Sequence, residues 1–356
     1  MKRVLVVNTV ATTFNGITSV IMNYTRSTYN QVSYDFVLCV KADAVFIEEM
    51  KMLGQNVYVA PCSRIKKPLK YSKWLNCVMK QNKYDCIHVH GNSATTYLEI
   101  KAAKKANIPI RIVHSHSTAC IYKFIHRLLK PRMNKLITHA IACSDLAGKW
   151  LFNKDFLILQ NAINVEKFKF SSEERDAYRR KLALEGKFVV GHIGYMETVK
   201  NHSFILDVAE RVVEKNKDVC FLFIGDGSLR PSIEKSISER KLSDNVILLG
   251  KRSDVASLYQ CMDVFILPSI SEGLPVTAVE AQTAGLPCLI SANVTRQVSI
   301  TDSVKYIDIN DSNIDEWAEA IQQIKVCDRE KAFFAICESE FNIQIATKAL
   351  LEIYNS

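Results

Sequence analysis

The chain has 356 residues, more than one ordinary hydrophobic core accommodates, so two domains are expected. Its content of 48% hydrophobic and 23% charged residues is ordinary for a globular protein, and no apolar run approaches the roughly 20 residues of a membrane-spanning helix. The 11 cysteines include no Cys-x-x-Cys pair, and several lie in apolar runs. This pattern argues against a secreted disulfide framework and favours a reducing cytoplasm.

Apolar strand-like runs alternate with amphipathic helical stretches, such as 201–216 and 228–241, along almost the whole chain. The runs are rich in β-branched residues and lack polar alternation, which is typical of parallel strands covered on both faces. Strands are predicted at 3–8, 35–40, 56–60, 86–90, 110–114, 139–143, 156–160, 188–194, 219–225, 245–250, 263–268 and 287–291.

Alternation of this kind, seen twice, predicts an α/β protein of two doubly wound, Rossmann-like domains. We expect the first domain at 1–165 and the second at 166–337, with a C-terminal helix at 338–356 that returns to the first domain. Doubly wound sheets bind ligands at the carboxyl ends of their strands, so a ligand is expected in a central cleft between the two domains.

The net charge of +9 is distributed unevenly between these halves. Residues 1–165 carry a net charge of +15, and the remainder carries −6. The basic half is therefore expected to meet phosphate or an anionic membrane surface. Nucleic acid is not expected as a partner.

The stretch "PSISEGLPVTAVEA" (268–281) follows the strand predicted at 263–268 and holds two acids, Glu272 in a Gly-Pro turn and Glu280 in the next helix. Pro275 suits the first position of that helix, whose free amides favour an anion. Two solvated surface acids are the simpler interpretation. Beside an anion site, however, carboxylates are suited to accept hydrogen bonds from sugar or ribose hydroxyls.

These motifs, taken in order, resemble the retaining glycosyltransferases of family 4, which have the GT-B fold, and bacterial exopolysaccharide and capsular polysaccharide transferases in particular. The Glu-x7-Glu spacing of Glu272 and Glu280 is followed by "GLP" (285–287), as in that family. Further segments that resemble it are "ACSDLAGKWLF" (142–152), "QNAINVEKF" (160–168), "IGDGSLR" (224–230) and "LLGKRSDV" (248–255).

The resemblance implies transfer of a sugar from a nucleoside diphosphate sugar, expected to be a UDP-sugar, to a glycan or lipid-linked acceptor with retention of configuration. The first domain would bind the acceptor and the second the donor. Glu280 would hold the ribose, Glu272 would face the donor sugar, and the backbone of Gly273 and Leu274 would lie near the diphosphate. No cofactor or metal is expected, and the chain lacks the Asp-x-Asp of metal-dependent sugar transferases.

The remaining expected contacts to the diphosphate come from two loops that follow predicted strands. In "GHIGYMETVKNHSF" (191–204), Lys200 matches the lysine of the family, whereas Tyr195 stands where the family usually has an arginine. In "TTFNGITSVIMNY" (12–24), Gly16 remains of a usual Gly-Gly pair and would let phosphate approach the backbone. A surface lysine and a plain turn are the alternatives.

Four histidines end two predicted strands, in "HVHG" (88–91) and "IVHSHS" (112–117). A His-x-His pair suggests a metal, but no Cys/His spacing supplies further ligands, so no metal site is predicted. The resemblance implies that His114 or His116 contacts the donor sugar or the acceptor and takes part in catalysis with Glu272 and Lys200. Histidines with only a structural role are the alternative.

Two basic clusters lie in the first half, each with aromatic or apolar neighbours. They predict peripheral binding to the inner face of the cell membrane. The first cluster spans 63–75 (Arg64, Lys66, Lys67, Lys70, Lys73, Tyr71 and Trp74), and the second spans 122–136 (Lys123, Arg127, Lys130, Arg132 and Lys135).

Other functions remain open on the sequence. A sugar-nucleotide epimerase or a phosphorylase would share the architecture, and Tyr195 is compatible with a degenerate, non-catalytic copy that binds sugar nucleotide. A dinucleotide dehydrogenase is disfavoured because no Gly-x-Gly-x-x-Gly follows the first strand.

Overall fold

A computed structural model describes residues 1–13, 15–54, 56–324 and 328–356. The chain divides into two compact units. Unit 1 comprises Met1–Ile163 and Glu340–Ser356, and unit 2 comprises Asn164–Ser339. The division after Ile163 lies two residues before the boundary predicted from the sequence.

Unit 1 contains one sheet of parallel strands. These are β1 (Lys2–Asn8), β2 (Val32–Leu38), β3 (Asn56–Val59), β4 (Cys86–His90), β5 (Ile110–Ser115), β6 (His139–Ala142) and β7 (Leu157–Ile158). Their order is β3-β2-β1-β4-β5-β6-β7, with the topological switch between β1 and β4. Residues 4–8 of β1 and all of β4 are buried, which explains why these strands show no polar alternation.

Helices cover both faces of this sheet. They are α1 (Gly16–Thr28), α2 (Ala44–Leu53), α3 (Pro68–Asn82), α4 (Tyr97–Lys105), α5 (Lys123–Leu136) and α6 (Asp145–Leu151). One core cluster joins the sheet to α3, α4 and α5 and includes Leu75, Ile100 and Met133. A second cluster, on the opposite face, includes Val20 and Met22 of α1.

Unit 2 repeats the arrangement with parallel strands in the order β10-β9-β8-β11-β12-β13. They are β8 (Phe188–Ile193), β9 (Val219–Ile224), β10 (Val246–Gly250), β11 (Val264–Leu267), β12 (Cys288–Ser291) and β13 (Val304–Ile307). The sequence analysis missed β13, an edge strand in which only Ile307 is buried, because its mixed sequence lacks the long apolar run of the central strands.

The helices of unit 2 are α7 (Ser172–Lys181), α8 (His202–Lys215), α9 (Arg230–Glu239), α10 (Val255–Gln260), α11 (Val276–Thr283), α12 (Ile314–Gln322) and α13 (Arg329–Cys337). The apolar side of α8 packs with Trp317 of α12 in the core. The predicted pair of doubly wound, parallel α/β domains is confirmed.

The last helix, α14 (Ile343–Asn355), packs in unit 1 against α1 and β1. Ile343, Leu350 and Tyr354 are buried in the second core cluster of that unit. The backbone of Ile163 bonds to Phe341 and Ile343 over 2.9 and 3.0 Å, which anchors the start of the helix. In the part of the chain that the structure describes, no helix combines the length and apolar character needed to cross a bilayer.

Candidate functional site

The carboxyl ends of β8 and β11 bring two predicted site residues together. A 3-10 turn over Thr198–Lys200 follows β8, and the loop that holds Glu272 follows β11. Because these parallel strands are neighbours, both loops leave the same edge of the sheet. The amide of Ile270 donates to the carbonyl of Val199 over 2.9 Å and joins the two loops.

Lys200 and Glu272 form an ion pair at this edge. The Nζ atom of Lys200 donates to Oε1 of Glu272 over 2.5 Å, and the two side chains are only 17% and 16% exposed. An ammonium group has three N–H donors, so Lys200 can keep this contact and still donate to a bound anion. The pair thus offers both a cation and a carboxylate to a ligand.

Two glycines make room for the lysine. A Cβ on Gly194 would lie 2.9 Å from Cδ of Lys200, and a Cβ on Gly225 would lie 2.0 Å from the carbonyl oxygen of Gly194. Gly225 also has a φ of +139°, which favours glycine. The loops after β8 and β9 therefore pack backbone to backbone, and the stem of Lys200 crosses directly over Gly194.

Glu280 lies one turn inside α11, where it is half-buried. Burial raises the pKa of its carboxyl group from an ordinary 4.5 to about 7, and a hydrogen bond from Tyr259 opposes this shift. The hydroxyl of Tyr259, a buried residue of α10, lies 3.0 Å from Oε2 of Glu280 and 3.0 Å from the carbonyl oxygen of Thr277. Tyr259 thus orients the carboxylate.

The beginning of α11 offers backbone donors beside these acids. Pro275 caps the helix, which begins at Val276, so the expectation that Pro275 is the first helical residue is wrong by one position. Within the described ranges, the amides of Val276 and Thr277 donate to no other group. Such amides at a helix N-terminus favour an anion. Leu274 is buried and anchors the turn.

Tyr195 lies in the same loop as Lys200 and is 39% exposed. Its carbonyl oxygen accepts a hydrogen bond from the amide of Glu197 over 2.8 Å. The tyrosine therefore stands at the surface of the loop, where its phenol is available to a ligand but supplies no cation.

Gly16 is the first residue of α1 in unit 1. Asn15 caps this helix, and its side-chain oxygen accepts from the amide of Thr18 over 3.0 Å. A Cβ on Gly16 would meet nothing within 4 Å. No fold constraint therefore requires glycine here, and the open space beside its backbone is compatible with the predicted ligand contact.

The four histidines form one stack at the carboxyl ends of β4 and β5. Nδ1 of His90 lies 2.9 Å from Nε2 of His116, and the rings of His114 and His116 have their centroids 4.2 Å apart. His114 is fully buried, whereas His116 is half-buried. Burial lowers the pKa of all four histidines, to about 3 for His88 and His116. A ligand that reaches this edge would contact His116 before His114.

The part of the chain that carries this site resembles a known protein family. Residues 174–332, which include Tyr195, Lys200, Glu272 and Glu280, match the family model described as glycosyl transferases group 1. The chain is a glycosyltransferase with a group 1 domain over these residues. The match lies within unit 2, so the family description applies directly to the residues at the carboxyl ends of β8 and β11.

Two curated relatives and one solved structure illustrate what this glycosyltransferase is similar to. EpsF of Bacillus subtilis (strain 168), a glycosyltransferase by name, is 29% identical over 96% of this chain and 93% of its own length. The UDP-Gal:alpha-D-GlcNAc-diphosphoundecaprenol alpha-1,3-galactosyltransferase of Escherichia coli is 29% identical over 60% of this chain and 59% of its own. Anabaena HepE in complex with UDP superposes with a TM-score of 0.81 at 16% identity over both full chains, which supports the GT-B fold.

The sequence analysis of this glycosyltransferase missed three contributors. Tyr259 carried no signal, since one tyrosine in an amphipathic helix is usually a core residue. Gly194 and Gly225 end two predicted strands, and their position after the strands was the available clue. The residues predicted for the site fall in both units, with Gly16, His114 and His116 in unit 1 and the others in unit 2.

Proposed function

We propose that this protein transfers a sugar from a UDP-sugar to a hydroxyl group of a glycan or lipid-linked acceptor, with retention of configuration and without a metal ion. The observation that carries the proposal is the Lys200–Glu272 ion pair beside the free amides of α11. It combines donors for a diphosphate with an acceptor for sugar hydroxyls. The Escherichia coli relative named for UDP-Gal transfer and the structure in complex with UDP support the choice of nucleotide.

In this proposal each group has a distinct task. Glu280, held by Tyr259, accepts hydrogen bonds from the ribose hydroxyls, and Glu272 accepts them from the donor sugar. Lys200 and the amides of Gly273 and Val276 stabilise the negative charge that grows on the departing diphosphate as the glycosidic bond breaks. Glu272 has no covalent role. His116 is proposed to contact the sugar or the acceptor, with His114 packed behind it.

A nucleotide screen tests the donor part of this proposal. We expect UDP to raise the melting temperature of the wild-type protein, because a ligand that binds the folded state stabilises it. Glu272→Gln should retain UDP binding but lose transfer from the UDP-sugar, whereas the exposed Glu352→Gln should behave as wild type. If no nucleoside diphosphate shifts the melting temperature, the proposal is wrong. Binding without transfer to any acceptor would instead favour a non-catalytic sugar-nucleotide-binding protein.

The acceptor side of the proposal includes docking on an anionic membrane surface. Exposed apolar residues accompany the basic ones: Leu69 at the start of α3, and Ile121, Phe124 and Leu128 around α5, are 53–90% exposed. Residues 61–65, at the start of the first basic cluster, and Ile121, next to the second, line one groove of about 720 Å³. The two basic clusters therefore begin close to each other. Basic residues at an anionic surface contribute about 1 kcal/mol each, and exposed apolar side chains can insert beside them.

Two members of the first basic cluster do not belong to this surface. Arg64 is buried and forms a two-pronged ion pair with Glu99, whose oxygens lie 2.8 Å from its nitrogens. Tyr71 is fully buried in the core of unit 1, so it cannot anchor in a membrane. The proposed docking surface therefore consists of Lys66, Lys67, Lys70 and Lys73 on one side and of exposed α5 residues on the other.

Sedimentation with vesicles tests the docking surface. We expect binding to anionic vesicles that salt releases, and weaker binding after replacement of Lys66, Lys67, Lys70 and Lys73 by serine. A matched control replaces four exposed lysines of unit 2 by serine, namely Lys215, Lys217, Lys235 and Lys241, which should leave vesicle binding unchanged. Equal binding to neutral and anionic vesicles, or no binding to either, would contradict the docking proposal.

A further inference from the structure

Three of the stacked histidines in unit 1 bring ring nitrogens close together. His88 and His90 are two residues apart on β4, so their side chains lie on the same face of the sheet. His114 on β5 is the register partner of His90. One ring nitrogen from each of the three residues lies within 4.8 Å of the other two. Within the described ranges, this is the one group of three or more metal-ligating side chains so arranged.

Among the described residues, some ring nitrogens of these three histidines form hydrogen bonds and others do not. Nδ1 of His88 lies 2.7 Å from the hydroxyl of Tyr354 on α14, and Nδ1 of His90 is bonded to His116. Nε2 of His88 and both nitrogens of His114 are buried and have no partner among the residues that the structure describes. Leaving such buried atoms unpaired costs free energy and therefore requires an explanation.

For His88 and His90, the pattern of bonded and unbonded nitrogens matches that of metal-binding histidines, whereas both nitrogens of His114 are unbonded among the described residues. A histidine that binds a metal with one nitrogen usually holds its other nitrogen in a hydrogen bond, which fixes the ring. Tyr354 supplies that bond to His88, and His116 supplies it to His90. A cavity of about 10 Å³ adjoins the three rings, which is space for about one water molecule or ion.

We propose that His88, His90 and His114 bind one divalent transition-metal ion, with Zn²⁺ as the best match to three imidazoles. Three histidines with an open fourth position are an established zinc donor set, and imidazole suits Zn²⁺ better than Mg²⁺ or Ca²⁺. Zinc–nitrogen bonds of about 2.0–2.1 Å place the nitrogens of a tetrahedral site roughly 3.4 Å apart. The present spacing of up to 4.8 Å would therefore have to shorten when an ion binds.

The sequence analysis did not predict this site because the third ligand comes from a neighbouring strand rather than from a local Cys/His spacing. The ion would join β4 to β5 and, through Tyr354, would hold α14 on the sheet. The site lies within unit 1, whereas Lys200, Glu272 and Glu280 belong to unit 2, and it adjoins His116 through His90. The metal is proposed as a structural ligand that takes no part in the transfer step, and metal binding is measured without that reaction.

Metal loading of the 356-residue chain tests the inference. Purified protein is stripped with a chelator, reloaded with Zn²⁺ or Co²⁺, and measured for bound metal, melting temperature and X-ray absorption. We expect one ion per chain, a higher melting temperature, and nitrogen or oxygen neighbours with the outer scattering of imidazole. Less than a tenth of an equivalent at micromolar free Zn²⁺ would overturn the proposal and leave water as the occupant. Sulfur neighbours would also overturn it, since they would assign the ion to cysteines.

Single substitutions assign the ligands. His90→Gln and His114→Gln should each lower bound Co²⁺ to less than a tenth of an equivalent while circular dichroism shows a folded chain. His202→Gln is the matched control, because His202 in unit 2 is also buried with unpartnered nitrogens but belongs to no three-histidine group. Its metal content should equal that of the wild type. Full loading of His114→Gln would contradict the proposal. The absorption spectrum of the wild type decides the question if these variants do not fold.

Discussion

Replacement of Glu280 by glutamine tests whether the pKa of this carboxyl group is raised in the folded protein. Burial raises the pKa of this carboxyl group from 4.5 to about 7, so the folded state binds its proton more tightly than the unfolded state. Below about pH 4.5, Glu280 is protonated in both states and does not lower the free energy of unfolding. As pH rises from 4.5 to 7, the unfolded state loses this proton first, so the free energy of unfolding of the wild type decreases. The difference of about 2.5 pKa units corresponds to at most about 3 kcal/mol.

Glutamine cannot ionise and still accepts the hydrogen bond from Tyr259. Glu280→Gln should therefore raise the free energy of unfolding at pH 8 by up to about 3 kcal/mol and should leave it nearly unchanged at pH 4. Urea unfolding at both pH values measures this difference, with the exposed Glu352→Gln as the control. A difference between Glu280→Gln and wild type that is the same at both pH values would refute the assignment of a raised pKa.

The same variant tests the role of Glu280 in nucleotide binding. A hydrogen bond to a charged acceptor contributes about 1.5–3 kcal/mol and one to a neutral acceptor about 0.5–1.5 kcal/mol, so Glu280→Gln should weaken UDP binding by roughly 5- to 10-fold. Because the ionised carboxylate is the better acceptor, wild-type affinity for UDP should also increase as pH rises through 7. Calorimetric titration with UDP measures both effects, and an unchanged dissociation constant in the variant would remove Glu280 from the nucleotide site.

Three further substitutions address the cation at the site. Lys200→Ala should lower kcat more than it raises KM, because charge on the diphosphate grows as the bond breaks, and a raised KM at constant kcat would contradict this role. Gly194→Ala should leave a folded protein but displace the stem of Lys200, with a loss of kcat that approaches that of Lys200→Ala; wild-type kinetics would show that the lysine is not constrained by Gly194. Tyr195→Arg should preserve or raise kcat if the site depends on the usual two cations, whereas loss of activity in a folded variant would mean that the pocket is built around the tyrosine.

The two carboxylates of the site could be predicted from the sequence, but the contacts that they make could not. Glu272 and Glu280 could be predicted because a strand, a Gly-Pro turn and a helix follow one another locally, and this order alone places both acids near the edge of a sheet. Their partners could not be predicted. Lys200 reaches Glu272 from the loop after β8, and Tyr259 reaches Glu280 from α10, and neither contact follows from a nearby spacing along the chain.

The two basic clusters and the four histidines could likewise be recognised in the sequence, but their arrangement in space could not be predicted from it. The two basic clusters were visible as charge, yet two of their members turn inward. Tyr71 is buried because α3 presents only part of its surface to solvent, and which part depends on its packing against α4. Arg64, in the turn before α3, is buried in its ion pair with Glu99 of α4. The four histidines were visible as strand endings. Their convergence depends on the register between β4 and β5, which sets His90 opposite His114.

The sequence by itself determined the two doubly wound parallel sheets, the order of most of their strands along the chain and the loops that carry the predicted site, because hydrophobic periodicity and turn residues act over short distances. Only the tertiary structure decided the ion pair of Lys200 with Glu272, the burial that raises the pKa of Glu280, and the close grouping of ring nitrogens from His88, His90 and His114. Each of these depends on strand order and packing between residues far apart in the chain. Such contacts are set by the whole fold, whereas local patterns specify only its elements.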